Sequence, residues 1–542
     1  MKEKYYFWQA SSWGLSLLLV LPILAIFHKA SGETDDVFTH LMATVMPTYA
    51  GNTVLLVVGT LVLSLLFGLP SAWIMAMCKI PGEKVLQWAL VLPLAMPGYI
   101  IGYIYTDWFD YAGPVQVALR DVFGWQSIHD YWFPDIRSLG GACMVLALVL
   151  YPYVYLLARA AFMEQSTSLL QSARLLRCSP WESFRRISLP LARPSIAVAL
   201  SLVAMETLGD YGTVSYFAVN TMTTAVYDTW LGYSSLTAAA KISALMLLAI
   251  FLLLSAERFS RRRQKLFQQQ FEHGDDVRYL LAGPKKWFAV AWCWVLVCFA
   301  FLFPLFQLGY YAFHYFAESW TSEFQLYSLN SLRVALVTAV VSVALALAVN
   351  FYRRLDDRRA TVVPIRISSM GYAVPGTVLA IGVMISLGWA DHLLNDITLA
   401  LGLGSPGLVF SGSMFALIFA FVVRFAAVAI GSVESSLAKI PPSLDMASKT
   451  MGYASFQMLR RVHLPLIRRG CLIAGLLVFI ESMKELNAAL LLRPFNFETL
   501  ATYVFNFASD EQLELAALPA ILLVFVGLIP LVMVNRSLEQ KH

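Results

Sequence analysis

The sequence predicts an all-α polytopic membrane protein, with about twelve transmembrane helices arranged as two parallel six-helix repeats. Three observations carry this prediction. The 542 residues are 59% hydrophobic and only 13% charged, where an average soluble domain is about a quarter charged. The apolar residues fall in runs of the length, roughly 20 residues, that crosses a bilayer core. Short phrases recur in the two halves of the chain: FRRISLP at 184–190 returns as LRRVHLP at 459–465.

Twelve runs have the required length: about 13–28, 51–78, 86–104, 139–163, 194–219, 236–256, 287–313, 329–352, 360–390, 408–433, 471–492 and 515–537. Helices are the form open to them, because lipid offers no partner for an unpaired backbone group. The first run is similar to a signal peptide, but it leads into a regular multi-span pattern and is read as a span. Prolines 93, 97 and 375 interrupt the third and ninth runs, either to kink a gate or to ease packing. The six cysteines, at 78, 143, 178, 293, 298 and 471, show no metal-type or paired spacing and read as small packing residues.

Charge orients the spans. With an even number of spans, both termini and every second loop share a side, and that side holds 30 of the 39 Lys and Arg residues. The other side holds four: Lys29, Arg120, Arg137 and Arg493. Its loops are acidic, with Glu33, Asp35, Asp36, Asp107, Asp110, Asp121, Asp130 and Asp135. The basic side is therefore expected to be cytoplasmic, with both termini on it.

The repetition extends beyond one phrase. Asn52-Thr53 opens the second run and Asn330-Ser331 the eighth, 278 residues on; Pro97-Gly98 reappears at the same distance as Pro375-Gly376. Leu189-Pro190 and Leu464-Pro465 stand 275 apart. Six spans per repeat, an even number, give both repeats the same orientation, related by an axis along the membrane normal. The expected divisions are 1–46 (tail and first span), 47–256 (first repeat domain), 257–286 (polar cytoplasmic linker), 287–324 (seventh span and following loop) and 325–537 (second repeat domain).

The loops at 164–193 and 434–470 hold the repeated phrase. Each reads as a short helix, a break and a second short helix, then Leu-Pro, where the proline is expected to stop the helix and turn the chain before the membrane. Their spacing resembles the EAA loop of bacterial ABC importer permeases. Gly452 stands ten residues before Val462, and Arg177 occupies the glycine place ten before Ile187. Gln171 and Met446 stand at the glutamate place, and Ala173 and Ala447 each keep one of two alanines. The resemblance implies the type-I ABC importer permease fold, with these loops docking in a groove of an ATPase. The docking residues it marks are Gln171, Ala173, Arg177, Pro180, Arg185, Arg186, Leu189 and Pro190 in the first loop. In the second they are Ala447, Gly452, Arg460, Arg461, Leu464 and Pro465.

GYAVPGTVLAIG at 371–382, LGDYGTVSYFAVNTMTTAVYDTW at 208–230 and MKELNAALLLRPFNFETLATYV at 483–504 narrow the resemblance to the fused two-domain permeases of ferric-iron importers. That family implies a bacterial inner-membrane location, two copies of a cytoplasmic ATPase and a periplasmic iron-binding protein. ATP and Mg would reside on the ATPase, this chain would bind no cofactor, and nucleic acid is no partner. Fused thiamine, phosphonate and polyamine permeases share the architecture.

Four carboxylates lie within spans at matched places, with one unmatched lysine beside them. Glu206 and Asp210 are four apart, as are Glu481 and Glu485, which the 275-residue offset relates to them; Lys484 sits beside the second pair. Four-residue spacing places each pair on one helix face. Such groups either line a water-filled cation pathway, or are neutralised by Lys484, Lys241, Arg159 or Arg424 in interhelical pairs. Oxygen ligands suit a hard cation such as ferric iron, but a conduit must also release it, so no tight metal site is expected.

The chain has no GxxxxGK[ST] phosphate loop, so ATP hydrolysis is expected of a partner and the chain is read as no enzyme. Its eight histidines form no HExxH or other paired cluster, which argues against a membrane-embedded enzyme. A twelve-span secondary transporter shares the parallel halves but does not require the duplicated loop phrase.

Overall fold

The computed structural model describes residues 3–33, 36–165, 171, 175–262, 278–356 and 358–539. Ala173 and residues 263–277 of the expected linker lie outside the described residues. Among those described, eleven helices are long and apolar enough to span a membrane, and Glu83–Ala95 with Gly98–Phe123 make one further span bent by 93°. All twelve expected runs fall on these segments.

Four spans are interrupted where the sequence read them as continuous or merely kinked. The third breaks at Met96, with Pro97 capping Gly98–Phe109. The ninth runs as Val362–Ser368, a 3-10 turn at Met370–Ala373, then Gly376–Ala400 capped by Pro375. The fifth, Leu189–Gly209, stops at Asp210 and restarts as Gly212–Tyr216; the eleventh, Leu464–Lys484, stops at Glu485 and restarts as Asn487–Leu492.

The repeated phrases correct another expectation. FRRIS and LRRVH do not end in a turn. Each forms one wide π-helical turn, at Phe184–Ser188 and Leu459–His463, that runs directly into the following span. Leu189 N–H bonds Phe184 O and Leu464 N–H bonds Leu459 O, five residues back in each case. The next residues are Pro190 and Pro465, which carry no N–H and whose rings would clash with the carbonyl four residues back. Widening the turn relieves that clash without breaking the helix. The seventh span repeats the solution at Cys298–Leu302, followed by Phe303-Pro304.

The chain forms two compact units. One comprises residues 45–224, 248–316 and 507–542. In it Met46–Met77 packs along Leu139–Met163, and Leu189–Gly209 lies against both. Glycine permits the closest approach: a Cβ on Gly68 would stand 2.8 Å from Tyr151 O. Of the seventh span, Gly283–Val297 packs on Met46–Met77, while Phe303–His314 and the twelfth span, Leu513–Glu539, pack on each other and on Gly98–Phe109 of the broken third span. Trp292 Nε1 donates to Ser71 Oγ and the Tyr311 hydroxyl to Asp107. Beside them, Tyr279–Leu280 at the end of the linker pairs in parallel with Cys78–Lys79, and Arg278 bonds Glu83 at 2.9 Å.

The other unit comprises residues 1–44, 225–247 and 317–506. Ser322–Leu355, Met414–Leu437 and Leu464–Lys484 pack together, and the first span, Glu3–Ala30, lies along Ser322–Leu355, Val362–Ser368 and Gly376–Ala400. Ser16 Oγ bonds Pro364 O and Ser368 Oγ, and a Cβ on Gly382 would stand 2.5 Å from Pro22 O. Thus the first unit takes spans two to five of the first repeat with the first and last spans of the second, and the other takes spans eight to eleven with the first span of the first repeat.

The duplicated Asn-Thr and Asn-Ser pairs have a common task. Asn52 Nδ2 donates to Asn220 O and Asn330 Nδ2 to Glu498 O, each 168 residues on. Thr53 Oγ1 accepts from Met222 N and Ser331 Oγ from Leu500 N, each 169 residues on. In both repeats the pair holds the start of the next short helix, Met222–Leu231 or Leu500–Ser509. Ser331→Ala leaves a buried N–H unpaired and is expected to lower stability by about 1–3 kcal/mol. Ser331→Thr keeps the acceptor and should cost less. Thermal unfolding of the detergent-solubilised chain measures both, and equal losses would show that the hydroxyl does not hold this segment.

Candidate translocation and docking sites

Two of the four in-membrane acids, Asp210 and Glu485, sit just past helix ends, which corrects the shared-face reading. Leu189–Gly209 ends one residue before Asp210, whose backbone is extended (ψ 125°). Asp210 instead caps the next helix: Oδ1 accepts from Thr213 N at 2.9 Å and Val214 N at 3.2 Å, and Thr213 Oγ1 donates to Oδ2 at 3.0 Å. Glu485 repeats this after Leu464–Lys484, with ψ 111° and Oε1 accepting from Ala488 N at 3.1 Å. Glu206 and Glu481 remain on their helices, Glu206 half-buried and Glu481 exposed, with Lys484 half-buried beside Glu485.

Each capped break meets the Pro-Gly break of its own repeat. A Cβ on Gly98 would stand 3.1 Å from Thr213 Oγ1, and one on Gly376 would stand 2.6 Å from Glu485 Oε1. The chemistry then diverges. Arg424 Nε pairs with Glu485 Oε2 at 3.3 Å, with both side chains almost fully buried, and Arg424 Nη1 reaches Val374 O at 3.4 Å. The 278-residue offset puts Leu146 in the place of Arg424, and Leu146 does lie beside Gly98. The hydrogen-bond partners of Asp210 are neutral. Of the other cations weighed as neutralisers, Arg159 donates to Gln87 and Lys241 to Glu33 O. Among the described residues, no three His, Cys, Asp or Glu side chains are placed to hold a metal ion.

The basic loops present their charge outward: Arg185, Arg186, Arg460 and Arg461 are all exposed. In the first loop, Ser179 and Glu182 form a capping box that starts a short helix at Pro180. In the second, Pro442–Thr450 ends at Gly452 (φ +78°), with Gly452 N bonding Lys449 O and Tyr453 N bonding Ser448 O. Arg177, at the matching place, takes the same left-handed backbone (φ +57°), which costs a residue with a Cβ about 1–2 kcal/mol. The exposed Gln171 and Ala447 lie on the loops, and Leu189-Pro190 and Leu464-Pro465 open the spans. Arg354 and His463 both bond the Asp445 carboxylate, at 2.6 and 2.7 Å, fixing the second loop to the end of the eighth span.

Sequence reasoning missed two aromatic residues here. Trp181 and Phe456 are 275 apart, one turn ahead of the double arginines, and they are 67% and 62% exposed. The signal was present in PWESFRR and ASFQMLRR, but the arginines drew the reading. On the acidic side, Asp130 accepts from Ser127 N and Gln126 N at 2.8 Å, and these bonds hold its carboxyl below the usual carboxylate range.

Residues 65–265 match the family model of the binding-protein-dependent transport system inner membrane component. The chain carries a permease domain of this family. It is the membrane-spanning permease of an ABC importer, built on the type-I fold. Across 96% of its length it is 24% identical to the Fe(3+)-transport system permease protein FbpB 2 of Haemophilus influenzae, of which 96% is covered. It is 31% identical to the molybdenum transport system permease protein ModB of Escherichia coli, over 29% of this chain and 65% of that one. It is 26% identical to the probable sulfate transport system permease protein cysT of Chlorokybus atmophyticus, over 39% of this chain and 72% of that one.

The break contacts in this permease generate a paired prediction. Gly376→Ala sets a methyl against Glu485 and Asn487, and is expected to destabilise by about 1–3 kcal/mol. Gly388→Ala lies on the same helix, where a Cβ meets nothing within 4 Å, and should be neutral or slightly stabilising. Thermal unfolding of the two variants decides; equal effects would mean the close approach at Gly376 is not tight.

Proposed function

We propose that this permease imports ferric iron delivered by a periplasmic binding protein. The observation that carries the reading is the match to the iron permease along nearly the whole chain, both repeats included, whereas the molybdenum and sulfate relatives align with less than half of it. Carboxylates at both in-membrane breaks agree with a cationic cargo, because hard cations are met by oxygen. Asp210 is the better candidate for contact with cargo, since Glu485 already faces Arg424.

The charge count supports an inner-membrane protein with both termini cytoplasmic, so that the basic loops face the ATPase and the acidic loops the binding protein. One chain with two loops serves two ATPase copies. Trp181 and Phe456 would enter the ATPase grooves, with the arginines on the rims, and closure of the ATPase dimer on ATP would rock the two halves between outward and inward access.

Uptake of radiolabelled ferric iron into cells with and without this chain, with its binding protein and ATPase present and no second iron importer, tests the cargo. Uptake should be lost without the chain and restored by it. Undiminished uptake in its absence would redirect the reading to thiamine, phosphonate or polyamine. In the same assay Asp210→Asn is expected to reduce uptake at least tenfold, and normal uptake would remove it from the pathway. Charge reversal at Arg185, Arg186, Arg460 and Arg461 should abolish ATPase co-purification while leaving membrane insertion intact. A complex that survives this would place the docking surface elsewhere.

A further inference from the structure

The end of the tenth span, Met414–Leu437, and the start of the eleventh, Leu464–Lys484, meet very closely: a Cβ on Gly470 would stand 1.9 Å from Ser436 Oγ. Beside this contact lies a cavity of about 380 Å³. Its wall has two characters. Ile440, Leu444, Leu466 and Ile473 are apolar, and Leu466 and Ile473 are 58% and 42% exposed, so they offer free apolar surface. Lys439 and Arg469 are basic and exposed, and neither forms an ion pair among the described residues. The groove therefore joins two unneutralised cations to an apolar strip, at the basic end of two spans.

The duplicated chain supplies its own control. The 275-residue offset puts Glu164 in the place of Lys439 and Pro194 in the place of Arg469, while Arg468 keeps its counterpart in Arg193. The basic pair thus belongs to the second repeat alone. Loop charge that merely orients spans is already present in both repeats, so it does not account for this pair.

We propose that this groove binds one anionic phospholipid of the cytoplasmic leaflet. Its phosphate would sit between Lys439 and Arg469, and its acyl chains would lie along Leu466 and Ile473. Basic pockets between spans at the cytoplasmic surface have the charge to take an anionic headgroup, and each Lys or Arg adds about fivefold to the affinity. A free phosphate ion shares the charge but makes no use of the apolar strip.

The test is native mass spectrometry of the delipidated full-length chain. It is titrated with dioleoylphosphatidylglycerol, with dioleoylphosphatidylcholine and with inorganic phosphate. One phosphatidylglycerol per chain should bind at least tenfold tighter than phosphatidylcholine. Lys439→Gln and Arg469→Gln should each weaken it about fivefold and together about 25-fold, while Arg193→Gln leaves it unchanged. Thermal unfolding checks that each variant is folded, and the single variants stand if the double one is not. Equal binding of the two lipids, or folded variants with unchanged binding, would overturn the proposal. So would displacement of the lipid by inorganic phosphate at equal concentration, which would make this an ion site, or its expulsion by the ATPase, which would make the groove part of the docking surface.

Discussion

A backbone group inside a bilayer has no water to bond, and the rest of this structure depends on how that constraint is met. Four spans are interrupted within the membrane. Pro97 and Pro375 open two of the restarted helices, where a missing N–H is harmless because the first turn has no intrahelical acceptor for it. Asp210 and Glu485 serve the other two by accepting the orphan N–H groups of the helices that follow. At these two breaks a side chain replaces water. The carboxylates at these two breaks satisfy the backbone and carry charge at once.

The two repeats meet the same geometry with different chemistry. Around Glu485 the second repeat buries an ion pair with Arg424, where the first repeat has Leu146. Removing both charges from water is costly, and removing only one of the pair afterwards costs more still. Glu485 is thus committed to its partner, whereas among the described residues Asp210 is held by a hydroxyl and two N–H groups, all neutral. A similar divergence marks the segment before the next short helix of each repeat: Asn220 stands where Glu498 pairs with Arg493. Fusion into one chain permits this, because each repeat has its own codons and neither must work as both halves.

The count of spans, the repeat and the places of the Pro-Gly breaks were legible because hydropathy and proline act through the local chain. The exchange of first spans between units was not, since a helix that is apolar on every side does not announce its neighbour. The restart after Asp210 was hidden for a different reason. Glu206 and Asp210 have helical spacing, and only the following Thr213, an acceptor's natural donor, hinted that Asp210 was a cap. The π turns were missed because proline was read as a stop; three such turns each precede an X-Pro pair, so proline here widens the helix rather than ending it. Arg177 looked like a loss of the glycine, yet its backbone keeps the glycine's conformation.

The π turns also decide how a loop is mechanically joined to its span. A chain that turned at Leu-Pro would hinge there, and motion of the loop would be absorbed. Because Phe184–Ser188 and Leu459–His463 run on as helix, each loop is the end of the same rod that terminates at Asp210 or Glu485. The 21 residues of Leu189–Gly209 and of Leu464–Lys484 each measure about 31 Å, one bilayer core. On the function proposed, the double arginine and the exposed aromatic sit at one end of this rod, and the in-membrane carboxylate caps the break at the other. A force applied by the ATPase at the loop therefore arrives at the carboxylate without passing through a flexible joint, and the phrase is written twice because each half needs its own rod.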